Sequence, residues 1–229
     1  MTDEFQKIEE RIGVFFSDKN ILKEALTHRS FLNENETWPV PHNERLEYLG
    51  DAVIELVVTE YLYRTYPEKQ EGELTGLRAA LVNYQMMATT AREISLEKSL
   101  FLSKGEAKDV GKARDVIIAN AFEALVGAIY LDGGYEEAAK FVERILISHM
   151  REVVEQKLYK DPKSMLQEII QEKERVTPTY RVLHESGPDH QKNFMVGVFA
   201  GERCIAEGSG TSKQEAESNA ARAALETIG

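Results

Sequence analysis

His42 to Val53 reads H-N-E-R-L-E-Y-L-G-D-A-V, and the rest of the chain is best understood outward from it. At about 100° per residue, Glu47 lies roughly 60° and Asp51 roughly 20° to the same side of Glu44, so one helical stripe carries three carboxylates. Leu46, Leu49, Val53, Leu56 and Val57 are expected to cover the opposite side. An acidic stripe facing away from an apolar one is ordinarily a solvated helix face. Two details speak against that here. Ile54 and Val58 flank the acidic stripe, and clustered carboxylates repel one another unless a cation sits between them. Magnesium, which takes oxygen ligands, is such a cation.

A second unusual helix is predicted from about Arg114 to Leu131, R-D-V-I-I-A-N-A-F-E-A-L-V-G-A-I-Y-L. It is apolar almost all round, as a core helix is. After Asp115 its only strongly polar side chains are Asn120 and Glu123, three residues apart on one face beside Ala124 and Gly127. A carboxylate buried there must be paired, protonated or bound to metal. The small residues Ala124, Gly127 and Ala128 leave room for another helix or a ligand to approach closely.

Around these two helices, residues 3 to 155 read as further helices with short breaks: Asp3 to Ile12, one starting near Asn20, Asn43 to Tyr66 ended by Pro67, Glu71 to Val82, Tyr84 to Ile94, and Tyr135 to about Gln156 after a D-G-G break. A polar loop covers Asn33 to Pro41. The Gly- and Lys-rich stretch L-F-L-S-K-G-E-A-K-D-V-G-K is expected to be a mobile loop, either merely solvated or a basic contact surface at Lys104, Lys108 and Lys112. Past L-Y-K-D-P the pattern changes to a helix over Lys163 to Glu174, three strand-like runs separated by G-P-D-H and A-G-E turns, and a closing helix. This predicts an all-α domain over 1–156, a linker over 157–161 and a small α+β domain over 162–229, ordered helix, three strands, helix.

Composition agrees with two soluble globular domains: 229 residues, 42% hydrophobic and 29% charged. No stretch reads as a membrane span of about 20 residues, and M-T-D-E-F-Q-K does not read as a secretory signal, so a cytoplasmic protein is expected. The net charge of −11, of which −2 falls on residues 162–229, excludes nucleic-acid binding by a general positive field. Cys204 is the one cysteine and has no partner for a disulfide or zinc site; it is expected to be a small buried apolar residue. Ser, Cys and His nucleophilic schemes find little support, since His28 and His42 have no obvious acidic relay.

The run E-R-L-E-Y-L-G-D-A-V resembles the signature of ribonuclease III, and N-A-F-E-A-L-V-G-A-I-Y-L-D resembles that family's second acidic helix. The C-terminal part, with its G-P-D-H loop and A-E-S-N-A-A ending, resembles a double-stranded-RNA-binding domain. The resemblance covers essentially the whole chain in the right order. It implies an endonuclease of double-stranded RNA that leaves 5′-phosphate and 3′-hydroxyl ends, as in rRNA and mRNA precursor processing. It also implies a homodimer using magnesium (Mg2+), with manganese (Mn2+) as the alternative, and no organic cofactor. Glu47, Asp51, Asn120 and Glu123 fall on the family's metal positions, with Asp51, Glu123 and Glu47 as the catalytic carboxylates. Glu44 and Glu71 match supporting acidic positions. Tyr48 matches an aromatic that packs across the dimer interface, although an amphipathic ring on a helix flank explains it equally well. Ser164, Gln167 and Gln171 match residues facing one RNA minor groove, His190 the next, and Lys213 the phosphates between them. Gln167 taken alone is an ordinary exposed polar residue.

One position departs from the pattern: the family commonly has Asp where this chain has Asn120. An amide oxygen can coordinate magnesium, but the site loses one negative charge. Tolerated variation, engineered inactivation and a degenerate member that binds without cutting are the competing explanations. The first is preferred because the other three acidic ligands are present. Gln214 and Glu217, where relatives often have lysine, imply modest RNA affinity for the isolated small domain, raised by dimer avidity.

Overall fold

The structure is a computed structural model that describes residues 2–157, 159, 161–188 and 192–228, without the side chains of residues 2–4. The chain divides into two compact units, one ending at Tyr159 and the other beginning at Lys160.

The first unit is helical: α1 (Thr2–Ile12), α2 (Lys19–Ala25), α3 (Arg29–Leu32), α4 (Glu44–Thr65), α5 (Glu71–Leu81), α6 (Tyr84–Glu93), α7 (Lys112–Ile145) and α8 (Met150–Glu155). Local chemistry explains several of the ends. Asp18 accepts from the Asn20 amide at the start of α2, and Asn83 from the Met86 amide at the start of α6. Glu44 and Glu47 occupy the first turn of α4 and Arg64 its last, complementing the helix dipole. The D-G-G break is a kink within α7, where Gly134 takes φ 80° and ψ −178°, a backbone state open to glycine. The expected final helix is not continuous to Gln156, because a 3₁₀ turn at Ile147–His149 separates α7 from α8.

α7 is the core helix. Phe122, Leu125 and Ile118 are fully buried in it, packed with Ile54 and Leu62 of α4 and Leu77 and Leu81 of α5. By length and composition Lys112–Glu155 is apolar enough to cross a membrane, contrary to the sequence expectation, but its apolar side chains are taken up by this core. Helices α4 and α7 approach until backbone meets backbone. A Cβ added to Gly50 would stand 1.8 Å from the Glu123 carbonyl oxygen, and one added to Gly127 would stand 2.3 Å from that of Leu46. The small residues of α7 therefore receive another helix. Ile54 and Val58 are buried as their place beside the acidic stripe required, but Leu56 is 56% exposed. The apolar arc of α4 thus splits into a buried half and an exposed half.

The Lys-rich loop is tied at its base. The Ser103 amide donates to the Ser30 hydroxyl at 3.1 Å, the Lys104 amide reaches the Glu34 carboxylate, and Glu106–Lys108 forms a 3₁₀ turn. It is more ordered than a merely mobile loop, because the segment carrying His28 and Ser30 supplies its hydrogen bonds.

The second unit comprises α9 (Pro162–Glu174), β1 (Thr179–Ser186), β2 (Asn193–Ala200), β3 (Arg203–Gly210) and α10 (Lys213–Ile228), with an antiparallel sheet ordered β1-β2-β3. Leu166 and Ile170 of α9, Val198 and Ala200 of β2, and Ala220, Ala221 and Ala224 of α10 form its core. α10 rides directly on β3: a Cβ on Gly208 would stand 2.1 Å from the Ala220 amide nitrogen. Cys204 is exposed, not buried as expected. A register shift between Val198 and Phe199 pairs it with Phe199, on the sheet face turned away from the helices.

Gly127→Ala forces a methyl into the Leu46 carbonyl and should destabilise the helical unit by about 2 kcal/mol, lowering its melting temperature by roughly 4–8 °C. Thermal unfolding followed by circular dichroism checks this; an unchanged midpoint would show that the two helices separate without penalty.

Candidate active site

The close approach of Gly50 and Gly127 decides what faces what. Glu47 and Asp51 lie one turn or less from Gly50 on α4, while Asn120 and Glu123 lie within two turns of Gly127 on α7. Side chains from the two helices consequently act on one another. The Asn120 side chain hydrogen-bonds the Glu47 carboxylate, and Glu123 feels the charges of both Asp51 and Glu47. The four groups the sequence singled out are brought together, and all of them offer oxygen.

Their electrostatics are those of partly buried carboxylates close enough to repel one another. Burial, reinforced by Asp51 and then Glu47, pushes the Glu123 carboxyl up to about 8. Glu47 is also raised, by burial first and then by Glu44 and Asp51, against the opposing pull of the Asn120 hydrogen bond. Among the described residues no three Asp, Glu, His or Cys side chains converge closely enough to enclose an ion. What the two helices supply is oxygen donors on facing sides: Glu47 and Asp51 from α4, Asn120 and Glu123 from α7. This donor set fits a hard divalent cation that keeps much of its shell in water or substrate oxygen.

The supporting acids fare differently. Glu44 sits at the start of α4, exposed, 3.4 Å from Arg29 and 3.8 Å from His42, and its charge reaches Glu47. Glu71 is not brought to the other carboxylates. It opens α5, accepts from the Thr75 hydroxyl at 3.0 Å, and lines a recess with Thr59, Leu62 and Tyr63. The twelve residues from Asp51 to Tyr63 correspond to roughly 18 Å along α4. Tyr48 is 83% exposed, next to the acidic stripe. It continues into Leu56 and Tyr63, which are 56% and 75% exposed, so an apolar strip runs along α4 that the reading of Tyr48 alone did not anticipate. The signal for it was available in the i, i+8, i+15 spacing of these three residues.

In the second unit Ser164, Gln167 and Gln171 share the exposed stripe of α9. Ser164 also donates to Asp161 at 3.0 Å, and Gln171 to Thr177 at 3.1 Å. Lys213 opens α10, 3.2 Å from Glu185 and over the Phe194 ring. His190 lies outside the described residues.

Comparison with known proteins adds to this geometry. Residues 18–150 match the family described as Ribonuclease-III-like, and residues 162–228 match the Double-stranded RNA binding motif. Ribonuclease 3 of Pelotomaculum thermopropionicum is 44% identical over 223 residues, covering 97% of this chain and 92% of that protein. Ribonuclease 3 of Bdellovibrio bacteriovorus is 44% identical over 228 residues, covering 99% and 97%. The solved nuclease domain of Campylobacter jejuni ribonuclease III, studied for flexibility in a region involved in dimer formation, superposes with a TM-score of 0.56. It is 41% identical and covers 62% of this chain and 95% of that one.

A carboxyl raised in the folded state binds its proton more tightly there than in the unfolded chain, so its stabilising effect is complete below the unfolded value and is lost as pH rises through the folded one. In chelator the helical unit should therefore lose stability progressively between about pH 4.5 and pH 8. Glu123→Gln should flatten that profile in thermal melts, and an equally steep profile in the variant would place the proton elsewhere.

Proposed function

Since the chain belongs to the ribonuclease III family and is a double-stranded-RNA endoribonuclease, we propose that it cuts with magnesium held between α4 and α7, leaving 5′-phosphate and 3′-hydroxyl ends. The observation that carries this is Glu123, the one charged side chain over residues 116–131 of α7, pressed against the charges of Asp51 and Glu47. The family is metal-dependent. Glu47, Asp51 and Glu123 would hold the cation by carboxylate oxygen and Asn120 by its amide oxygen, with manganese an acceptable substitute. The chemistry supplied by a cation held there would be a lowered pKa for a bound water and partial neutralisation of the scissile phosphate.

The chain's own contributions are separate. Asn120 fixes the orientation of Glu47 through its hydrogen bond. Burial and the charges of Asp51 and Glu47 push the Glu123 carboxyl up to about 8, so it takes up a proton more readily than a free carboxylate. The acidic cleft repels RNA, so the second unit does the binding: Ser164, Gln167 and Gln171 read a minor groove by shape, His190 the next, and Lys213 the intervening phosphates. Asn120 is read as a variation that the site tolerates. A binder that has lost cleavage is not favoured, since the relatives are nucleases by name along nearly their full length.

The working form proposed is a homodimer in the cytoplasm. The exposed strip of Tyr48, Leu56 and Tyr63 is apolar surface on a helix, which a two-fold copy of itself would cover. It borders the acidic stripe, so the two sites of such a dimer would serve the two strands of one duplex.

Three outcomes test this. Glu123→Gln should lower magnesium-dependent cleavage of long duplex RNA by about 100-fold or more while RNA binding in chelator persists; retained cleavage refutes its role. Asn120→Asp should lower the magnesium concentration for half-maximal cleavage, and an unchanged requirement would show that this side chain is not a ligand. Tyr48→Arg should weaken dimerisation by roughly 30-fold or more in sedimentation equilibrium, whereas an intact dimer would put the interface on another face.

A further inference from the structure

The small unit must attract a polyanion, yet three of its cationic features, Lys213, Lys163 and the N-terminus of α10, are engaged by its own carboxylates. Lys213 lies 3.2 Å from Glu185 of β1. Lys163, next to Ser164 on α9, lies 2.5 Å from Glu217 of α10 and over the Tyr180 ring. At the start of α10 the Thr211 amide and hydroxyl both donate to the Glu215 carboxylate, at 2.8 and 2.6 Å, while the Ser212 hydroxyl caps the Glu215 amide. The positive end of that helix thus already has an anion at it.

These carboxylates come from two separate elements, β1 and α10, and the two that pair with lysines meet them through the fold. Glu185 is brought in by β1 and Glu217 by the second turn of α10. Both pairs are partly exposed, with Lys213 and Glu185 at 57% and 43% side-chain exposure, so water and salt reach them. Pairs of this kind are weak enough for a phosphate to displace.

We propose that Glu185 and Glu217 are affinity-setting residues that stand in for RNA phosphates on Lys213 and Lys163, so that bound RNA must displace two intramolecular carboxylates. This rests on the reading above in which Lys213 meets phosphate. Three consequences follow from the electrostatics. Each displaced carboxylate is left beside the RNA backbone, where it repels. Each also takes back a cation from solution, so fewer ions are released on binding than the number of lysine contacts would give. Phosphate contacts carry no information on sequence or helix form, so masking them suppresses generic polyanion binding while leaving the groove-reading side chains of α9 unaffected.

The test uses the full-length protein in chelator, which keeps RNA intact, and a fluorescent duplex titrated across a series of salt concentrations. Glu185→Gln and Glu217→Gln should each bind about two- to five-fold more tightly at low salt, with a slope of log affinity against log salt steeper by up to about one per freed lysine. Glu202→Gln is the charge-matched control, because its carboxylate pairs with Arg181 at 3.4 Å instead of with either of these lysines. Affinities and slopes equal to those of the control would overturn the proposal, as would weaker binding, which would mean that the carboxylates hold the lysines in place for RNA. Lys213→Ala separates the two claims. Lost affinity there, with no gain in Glu185→Gln, rejects the masking and keeps Lys213 as an RNA contact. No loss in Lys213→Ala rejects both.

Discussion

The contact between Gly50 and Gly127 is the constraint on which the candidate site depends. Neither position has room for a methyl group, since Cβ atoms there would fall 1.8 and 2.3 Å from carbonyl oxygens of the facing helix. Side chains one turn away are thereby brought close enough to interact across the gap. Without this approach Glu47 and Asp51 would lie on a wet helix face and Glu123 would be an isolated half-buried carboxyl. With it, the Glu123 carboxyl is pushed up to about 8 and Glu47 takes a hydrogen bond from Asn120. Packing that looks purely structural is what creates the electrostatic problem, and a divalent cation is the simplest solution to it.

A division of labour between the two units follows from the same charges. The first 161 residues carry −9 of the net −11, which suits cation binding and opposes RNA. The second unit is closer to balance, and its lysines at the RNA-facing end are held by glutamates. On the proposed reading, affinity for RNA would be modest at each contact and accumulated over several, with shape reading on α9 supplying selectivity. A second copy of the chain, docked through the strip of Tyr48, Leu56 and Tyr63, would add avidity and place two acidic clefts on one duplex.

Much of this was legible in the sequence. The helix, three strands and helix of the second unit follow from turn chemistry and alternation, and the small residues beside Glu123 mark a face of α7 that another helix or a ligand could approach, while the pairing of the two acidic helices came from the family resemblance. What periodicity could not show depends on tertiary context. Leu56 belongs to the apolar arc of α4 by angle, but whether an apolar residue faces the core or a partner is not encoded in its angle. Cys204 was misplaced because a register shift in the sheet reverses which face it shares. The apolar run of α7 satisfies the composition of a membrane span while filling a core, since both environments select the same side chains. Glu71 matched a family position by sequence, but one protomer leaves it near the far end of α4 from Asp51. The ion pairs of Lys163 and Lys213 join residues 54 and 28 positions apart, beyond the reach of any local pattern.

The central claim is that one cation is shared between a stripe on α4 and a stripe on α7. Direct manganese binding, followed by the loss of its free electron-paramagnetic-resonance signal, tests it most simply in the wild type and in Glu47→Gln and Glu123→Gln, one change on each helix. The account predicts that each substitution weakens binding by about tenfold or more, because each removes a charged ligand from the same ion. Manganese affinity that survives either change undiminished would mean that the two helices do not share a site.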